Sequence, residues 1–308
     1  MTAAFLLTIV ASVVASTLAL STPLIFASLG GTISERGGVV NIALEGMLLA
    51  GAFGYFVGAS ATHNVFAGIG VAILAAVILG LVLAYLCVRL PVDQVIVGVA
   101  VNLMASGGTA FLYRSLFGLG GNQTAPGIGN VSLPGLSHLP FVGAAVFRQS
   151  PLTYLALLAT LGIWAFLRFT RQGLWLRATG ENPAASDSAG ISVFWVRFIG
   201  VCACGVLCGL GGAFILSQVS SFSEDMTAGV GFIALAAVIL GRWEPGGAFL
   251  ASLLFALFES AQTAMQTAGI HVPYQFLLML PYVLTILVLA GLGRSLAPAA
   301  DGTPYRRG

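Results

Sequence analysis

Residues 65–88 read VFAGIGVAILAAVILGLVLAYLCV, without a single charged side chain. At about 1.5 Å of rise per residue, such a run is long enough to cross a hydrocarbon core of about 30 Å as one helix. It is apolar on every face, which a helix half-exposed to water is not. Arg89 follows it directly and marks its polar end. Working outward, comparable apolar runs occupy residues 4–30, 39–59, 95–117, 152–169, 198–218, 229–241, 247–264 and 274–293. The expected fold is therefore an all-α, polytopic membrane helix bundle of about nine spans, a single transmembrane domain over residues 1–308. The first run has no basic segment before it and is too long for a secretory signal core, so it reads as a retained span. The run at 229–241 is short for a full crossing. It is expected to be a broken or re-entrant helix, which is tolerated only when buried in protein or lining a cavity.

Composition supports the same class. Of 308 residues, 58% are hydrophobic and 7% charged, with a mean hydropathy of +1.01. A soluble chain carries about 25% charged residues, so this one cannot coat a water-facing surface and must use the lipid bilayer as its solvent. Forty glycines suit close helix packing in lipid. A net charge of +2 is too small to point to nucleic acid. All twelve basic residues are arginines. Without lysine there can be no Walker A phosphate loop and no Schiff-base chemistry, so any ATP hydrolysis must belong to another chain. Cys87, Cys202, Cys204 and Cys208 lie in apolar stretches with no histidine beside them and read as packing residues. No catalytic or metal-binding constellation emerges, and the chain does not read as an enzyme.

Arginine placement sets an orientation through the positive-inside bias. With Ser34-Glu35-Arg36 inside, Arg36, Arg89, Arg168, Arg171, Arg177, Arg197, Arg242, Arg294, Arg306 and Arg307 fall at cytoplasmic ends, and only Arg114 and Arg148 fall outside. The N-terminus is then outside and the C-terminus cytoplasmic. Residues 118–150 form an external loop rich in Gly, Pro, Asn and Ser; residues 171–197 form a cytoplasmic one. His63, His138 and His271 fall in external loops and carry no assigned chemistry.

Residues 38–44 (GVVNIAL) match residues 229–235 (GVGFIAL) at five of seven positions, and a Ser-Glu pair precedes each. By the charge rule the first segment starts inside and the second outside, which is what an inverted repeat requires. Chance similarity between apolar runs is the competing explanation. A real repeat would bring the two segments face to face near the midplane.

Ionisable and amide side chains inside the membrane are costly and default to functional hypotheses. Asn41 and Glu45 lie on one face if the second span is helical throughout. They either cap and lock a broken helix near Arg36 or touch substrate. Asn102, Glu259 and Gln262 serve either as interhelical hydrogen-bonding residues or as pathway lining. Phe53, with Tyr55 and Phe56, could stack on a flat ligand or simply pack. The candidate translocation pathway is thus Asn41, Glu45, Phe53, Asn102, Glu259 and Gln262. In the cytoplasmic loop, Gly180 is expected to break one helix and Glu181-Asn182-Pro183 to start another. Asn182 serves as cap with proline at the first position, and Gly190 stops the helix.

That loop, GENPAASDSAGI over residues 180–191, resembles the coupling-helix region of ABC-transporter permeases in the ribose and branched-chain amino-acid permease superfamily. The stretch SERGGVVNIALEGMLLAGAF at residues 34–53, and IALAAVILGRWEP at 233–245, are similar to its nucleoside-type members. The resemblance implies a permease subunit of a bacterial inner-membrane importer, for nucleosides or alternatively for a simple sugar such as ribose. Gly180, Glu181, Asn182, Pro183, Ala184, Ala185, Gly190 and Ile191 would contact the ATPase. It implies no cofactor on this chain, ATP and Mg being bound by a cytoplasmic ATPase subunit. A second related permease and an extracytoplasmic substrate-binding lipoprotein would complete the assembly. An ion-coupled carrier acting alone is the alternative from a different class, with Glu45 and Glu259 as its candidate ion sites.

Overall fold

The computed structural model describes residues 3–90, 92–118, 123–132, 146–267, 279, 283, 286 and 297–305. Its helices are α1 (Ala3–Arg36), α2 (Leu44–Thr62), α3 (Val65–Ala84), α4 (Gln94–Phe117), α5 (Pro151–Phe169), α6 (Arg171–Glu181), α7 (Pro183–Ser188), α8 (Val193–Val219), α9 (Val230–Leu240) and α10 (Pro245–Thr267). A π-turn at Tyr85–Arg89 extends α3. Between α4 and α5, β1 (Val131–Ser132) and β2 (Arg148–Gln149) pair antiparallel, Val131 opposite Gln149. Among the described residues seven helices are long and apolar enough to cross a membrane, and α9 is a shorter apolar one. The all-α membrane bundle is therefore observed. The run expected at 274–293 lies outside the described residues except for Met279, Val283 and Ile286, which are helical.

Side-chain caps open five of the ten helices, α3 to α7. Asn64 accepts from the Phe66 amide at 2.8 Å to open α3. Asp93 accepts from Val95 and Ile96 at 2.9 and 3.0 Å to open α4, placing an anion at the positive end of the helix dipole. Ser150 caps α5, with Pro151 at the first position. By contrast α2 and α9 start after Ala43 and Gly229, and neither flanking residue supplies a side-chain cap.

Helix α2 is the centre of the bundle. In its apolar window 78% of residues are buried, against 28% for α4 and for α5, which therefore sit at the periphery. Glycines permit this enclosure: a Cβ on Gly212 of α8 would collide with the α2 backbone at Leu48 and Ala52, and one on Gly209 would meet α3 at Ile73. Hydroxyls buried along α1 bond back to preceding carbonyls, Thr22 to Leu18 and Thr32 to Ser28. Others bond across helices, Ser28 to Ser252 and Thr22 to Thr153. Satisfying polar groups internally is what a hydrocarbon surrounding demands.

Several boundaries differ from the sequence expectation: α8 starts at Val193 and α10 extends over Pro245–Thr267, and two differences bear on the site. The first span runs on past residue 30 to Arg36, because Gly30 and Gly31 are tolerated where α1 packs against Cys204 and Val238. The second begins at Leu44 rather than at residue 39. Residues 37–43 leave the helix, turned by Gly38 at φ +87 and held when Ser34 donates to the Val39 carbonyl and the Val40 amide donates to Gln94.

Candidate functional site

The unwound stretch before α2 places its polar residues against backbone rather than in open space. Asn41 is fully buried; its Oδ1 accepts from the Ala43 amide at 3.1 Å, and its Nδ2 lies 3.1 Å from the Cys204 sulfur. Asn102, on α4, does what Ala43 cannot. Its Oδ1 accepts from the Gly46 amide at 2.7 Å and its Nδ2 donates to the Ile42 carbonyl at 2.9 Å. One side chain thus satisfies an orphan donor of the first turn of α2 and an acceptor of the turn before it. Asn102 lies eight residues into α4, about 12 Å from its start and so near the middle of a bilayer core.

Glu45 caps a different helix. Its Oε1 accepts from the Gly229 amide at 3.0 Å and its Oε2 from the Gly231 amide at 2.6 Å, at the start of α9. Gly229 has φ +89, which aims its amide at the carboxylate, and a Cβ on Gly231 would strike the Glu45 backbone. The carboxylate therefore rests between the positive ends of two helices, α9 and its own α2. The two segments matched in sequence do meet, at Glu45 and Gly231. They do not share a conformation: residues 38–43 are turned and extended, while residues 230–235 are helical. Nor do Asn41 and Glu45 share a helix face, since Asn41 precedes the helix.

Of the other pathway candidates, Phe53 is buried and packs edge-on against Phe222 at 5.2 Å, beside Phe56, Tyr113 and Phe117. This aromatic plug lies toward the side where Arg114 forms a two-pronged ion pair with Glu224. Glu259 and Gln262 lie on α10, Glu259 on its exposed face, and no described hydrogen bond joins them to Asn41, Glu45 or Asn102.

At the opposite side, α6 and α7 carry the loop that the sequence singled out. Asn182 accepts from the Ala185 amide at 3.0 Å, Pro183 opens α7, and Gly190 at φ +82 follows it. Ala184, Ala185 and Gly190 are exposed, and Gly190 and Ile191 edge an apolar groove of about 640 Å³ that also holds Trp175 and Trp195. Helix α6 ends at Glu181, one residue past Gly180, and α7 starts at Pro183, so the break falls where the sequence puts it. Gly180 itself is buried in the last turn of α6, and a Cβ there would collide with the Arg36 carbonyl, so glycine is also needed for close backbone packing. Glu181 faces a tail, residues 297–305, accepting from the Ala299 amide at 3.3 Å. Arg197, 2% exposed, donates to the Thr303 and Ala300 carbonyls of the same tail, and Ala300 donates to the Gly180 carbonyl.

Sequence reading missed the clasp beside this surface. Glu35 accepts from the Trp243 indole at 2.5 Å, Arg36 donates to the Trp243 carbonyl at 2.8 Å, and Arg36 pairs with Glu244. Arg242 and Trp243 both have positive φ, which costs non-glycine residues about 1–3 kcal/mol each unless contacts hold them. Their nearest sequence signal is the Gly241-to-Pro245 turn chemistry, which says nothing of Glu35. The end of α1 thus grips the turn leaving α9, while Glu45 grips the start of α9.

Seven helices long and apolar enough to cross a membrane, with a shorter apolar helix held at both ends among them, make a polytopic membrane bundle. A family model for the permease component of the branched-chain amino acid transport system matches residues 13–289, and the chain belongs to that family. It is 43% identical to the nucleoside ABC transporter permease protein NupC of Lactococcus lactis, across 95% of this chain and 96% of the relative. It is 38% identical to the guanosine ABC transporter permease protein NupQ of Bacillus subtilis, across 97% and 98%. TsgC13 of Haloferax volcanii, named provisionally as a glucose ABC transporter permease, is 36% identical across 89% of each chain. Like the family it belongs to, the chain is a transport subunit and not an enzyme.

Proposed function

We propose that this chain is the membrane-spanning permease of an ATP-driven nucleoside importer. The observation that carries the substrate class is the near full-length identity to NupC and NupQ, which exceeds that to the glucose-named relative. In this reading a cytoplasmic subunit binds ATP and Mg, a second related permease completes the membrane assembly, and an extracytoplasmic protein delivers substrate. The side bearing α6, α7 and the tail is cytoplasmic, in keeping with the arginine bias.

The geometry supports a specific coupling route. Gly180 rests on the Arg36 backbone, Glu35 and Arg36 hold the turn after α9, and Glu45 holds the start of α9. A displacement of α6 and α7 by the ATPase is therefore passed through close-packed elements to the short helix α9. Alternating access requires only that the nucleotide states favour different positions of that element. Asn41, Glu45 and Asn102 act in this reading as fasteners of the two helix starts and not as substrate ligands, since their polar atoms are already engaged.

The test is uptake of radiolabelled guanosine by cells carrying the complete transporter. Unlabelled uridine and adenosine should compete, and ribose and glucose should not. Competition by the sugars alone would overturn the nucleoside reading. Glu181→Ala and Gly190→Pro should leave ATP hydrolysis running while uptake falls; normal uptake by both would remove the coupling assignment.

A further inference from the structure

A second hollow, of about 260 Å³, opens on the side of α6 and α7 and is lined by Arg36, Trp164, Leu167, Arg168, Arg177 and Glu244. These residues come from the end of α1, from α5, from α6 and from the turn before α10. Three cations thus meet one carboxylate, and that carboxylate is engaged with Arg36. Among the described residues neither Arg168 nor Arg177 has a carboxylate partner. The Arg177 Nε is buried with no hydrogen-bond acceptor, an unfavourable state for a charged group. The Arg168 guanidinium lies 5.7 Å over the Trp164 ring, which orients its donors without using them as hydrogen bonds. Two uncompensated guanidinium groups facing one hollow repel each other and offer forked donors that match a phosphate.

The surroundings decide where that phosphate comes from. Leu158, Leu161 and Trp164 are exposed on α5 and lie on adjoining faces of the helix on the way to Arg168. From Leu158 to Arg168 the helix rises about 15 Å, half of a bilayer core of about 30 Å. A phospholipid whose headgroup occupies the hollow would therefore lay an acyl chain along these lipid-facing residues, whereas a free phosphate would make no use of them. The surplus positive charge disfavours a zwitterionic headgroup, whose ammonium would enter a cationic hollow. We propose that Arg168 and Arg177 bind the phosphodiester of an anionic phospholipid whose acyl chain lies along Leu158 and Leu161 of α5.

The experiment is native mass spectrometry of the full-length protein, delipidated in neutral detergent together with any copurifying subunits, and titrated with phosphatidylglycerol or phosphatidylcholine. Wild type should bind phosphatidylglycerol at least about tenfold more tightly than phosphatidylcholine, and R168Q/R177Q should lose about that factor, the worth of a charged hydrogen-bonded pair. R171Q removes the same charge on the same side but outside the hollow, and should bind as wild type does. Because Arg168 is exposed, R168Q alone should fold and still lose severalfold in affinity, so a poorly folding double variant leaves the test intact. Equal binding by wild type and R168Q would overturn the proposal, as would an equal loss in R171Q. Displacement of the lipid by inorganic phosphate at matched concentration would assign the hollow to the free ion instead. Retention of phosphatidylglycerol by the isolated chain but not by the assembly would mean that a partner's acidic side chain covers it, and would also overturn the proposal.

Discussion

Glu45 and Gly231 lie in the first turns of two different helices, α2 and α9, and the carboxylate of one accepts from the amide of the other at 2.6 Å. With the Gly229 amide at 3.0 Å, the side chain of α2 satisfies two donors at the start of α9. A helix that starts inside a bilayer has no water to serve those donors. Glu45 is therefore a structural anion with a mechanical position, and its replacement tests both aspects.

Glu45→Gln keeps the shape but replaces one acceptor oxygen with a donor, setting an amide against a backbone N–H. We expect a loss of about 1–3 kcal/mol in thermal unfolding of the detergent-solubilised protein. Guanosine uptake should fall further than protein abundance. Uptake at wild-type level with unchanged melting would show that the contact carries neither role.

Asn102→Ala should leave the Gly46 amide and the Ile42 carbonyl without partners, at a cost of about 1–3 kcal/mol. The sites at Asn102 and Glu45 act through the same first turn of α2. A double-mutant cycle on melting should therefore give a coupling of about 0.5 kcal/mol or more, whereas independent sites would add within that margin.

Gly231→Ala should fail to assemble, because its Cβ has no room beside the Glu45 backbone. Gly108→Ala is the control. Nothing lies within 4 Å of a Cβ there, and alanine in the middle of α4 should stabilise by about 0.5–1 kcal/mol. Membrane abundance of the two variants, followed by melting, separates close packing from any general intolerance of substitution at glycine.

The tail should respond to pH through Asp301. Burial pushes its carboxyl up to about 7 from an ordinary 3.8, against the opposing pulls of the Gly302 amide and Arg197. The docked carboxyl then holds a proton that the released tail would lose. Docking is strongest below the ordinary carboxylate range, weakens as pH rises through about 7, and changes little above it. Hydrogen exchange of residues 299–303, corrected for intrinsic rate, should show protection falling between pH about 5 and about 8. Asp301→Asn should flatten that slope, and a slope unchanged in this variant would assign the effect to another group.

Much of this molecule is readable from local pattern alone. Apolar runs, arginine flanks, the Asn182-Pro183 helix start and the Gly190 stop each depend on neighbours within a few residues, so sequence determined the membrane class, most spans and the form of α7. Even the meeting of residues 38–44 with 229–235 was visible as an echo. Other features depend on groups far apart in the chain. That Glu45 would cap α9, that Asn102 would fasten α2, and that Glu35 would hold Trp243 could not be read from spacing, because the partners lie 184, 56 and 208 positions away. The same distance hides the second role of Gly180, whose lack of a side chain also makes room for the Arg36 backbone across the interface. Sequence determined which polar residues enter the membrane. Tertiary structure alone decided which backbone groups they satisfy, because in a solvent that offers no hydrogen bonds each helix start must find its partner on another helix.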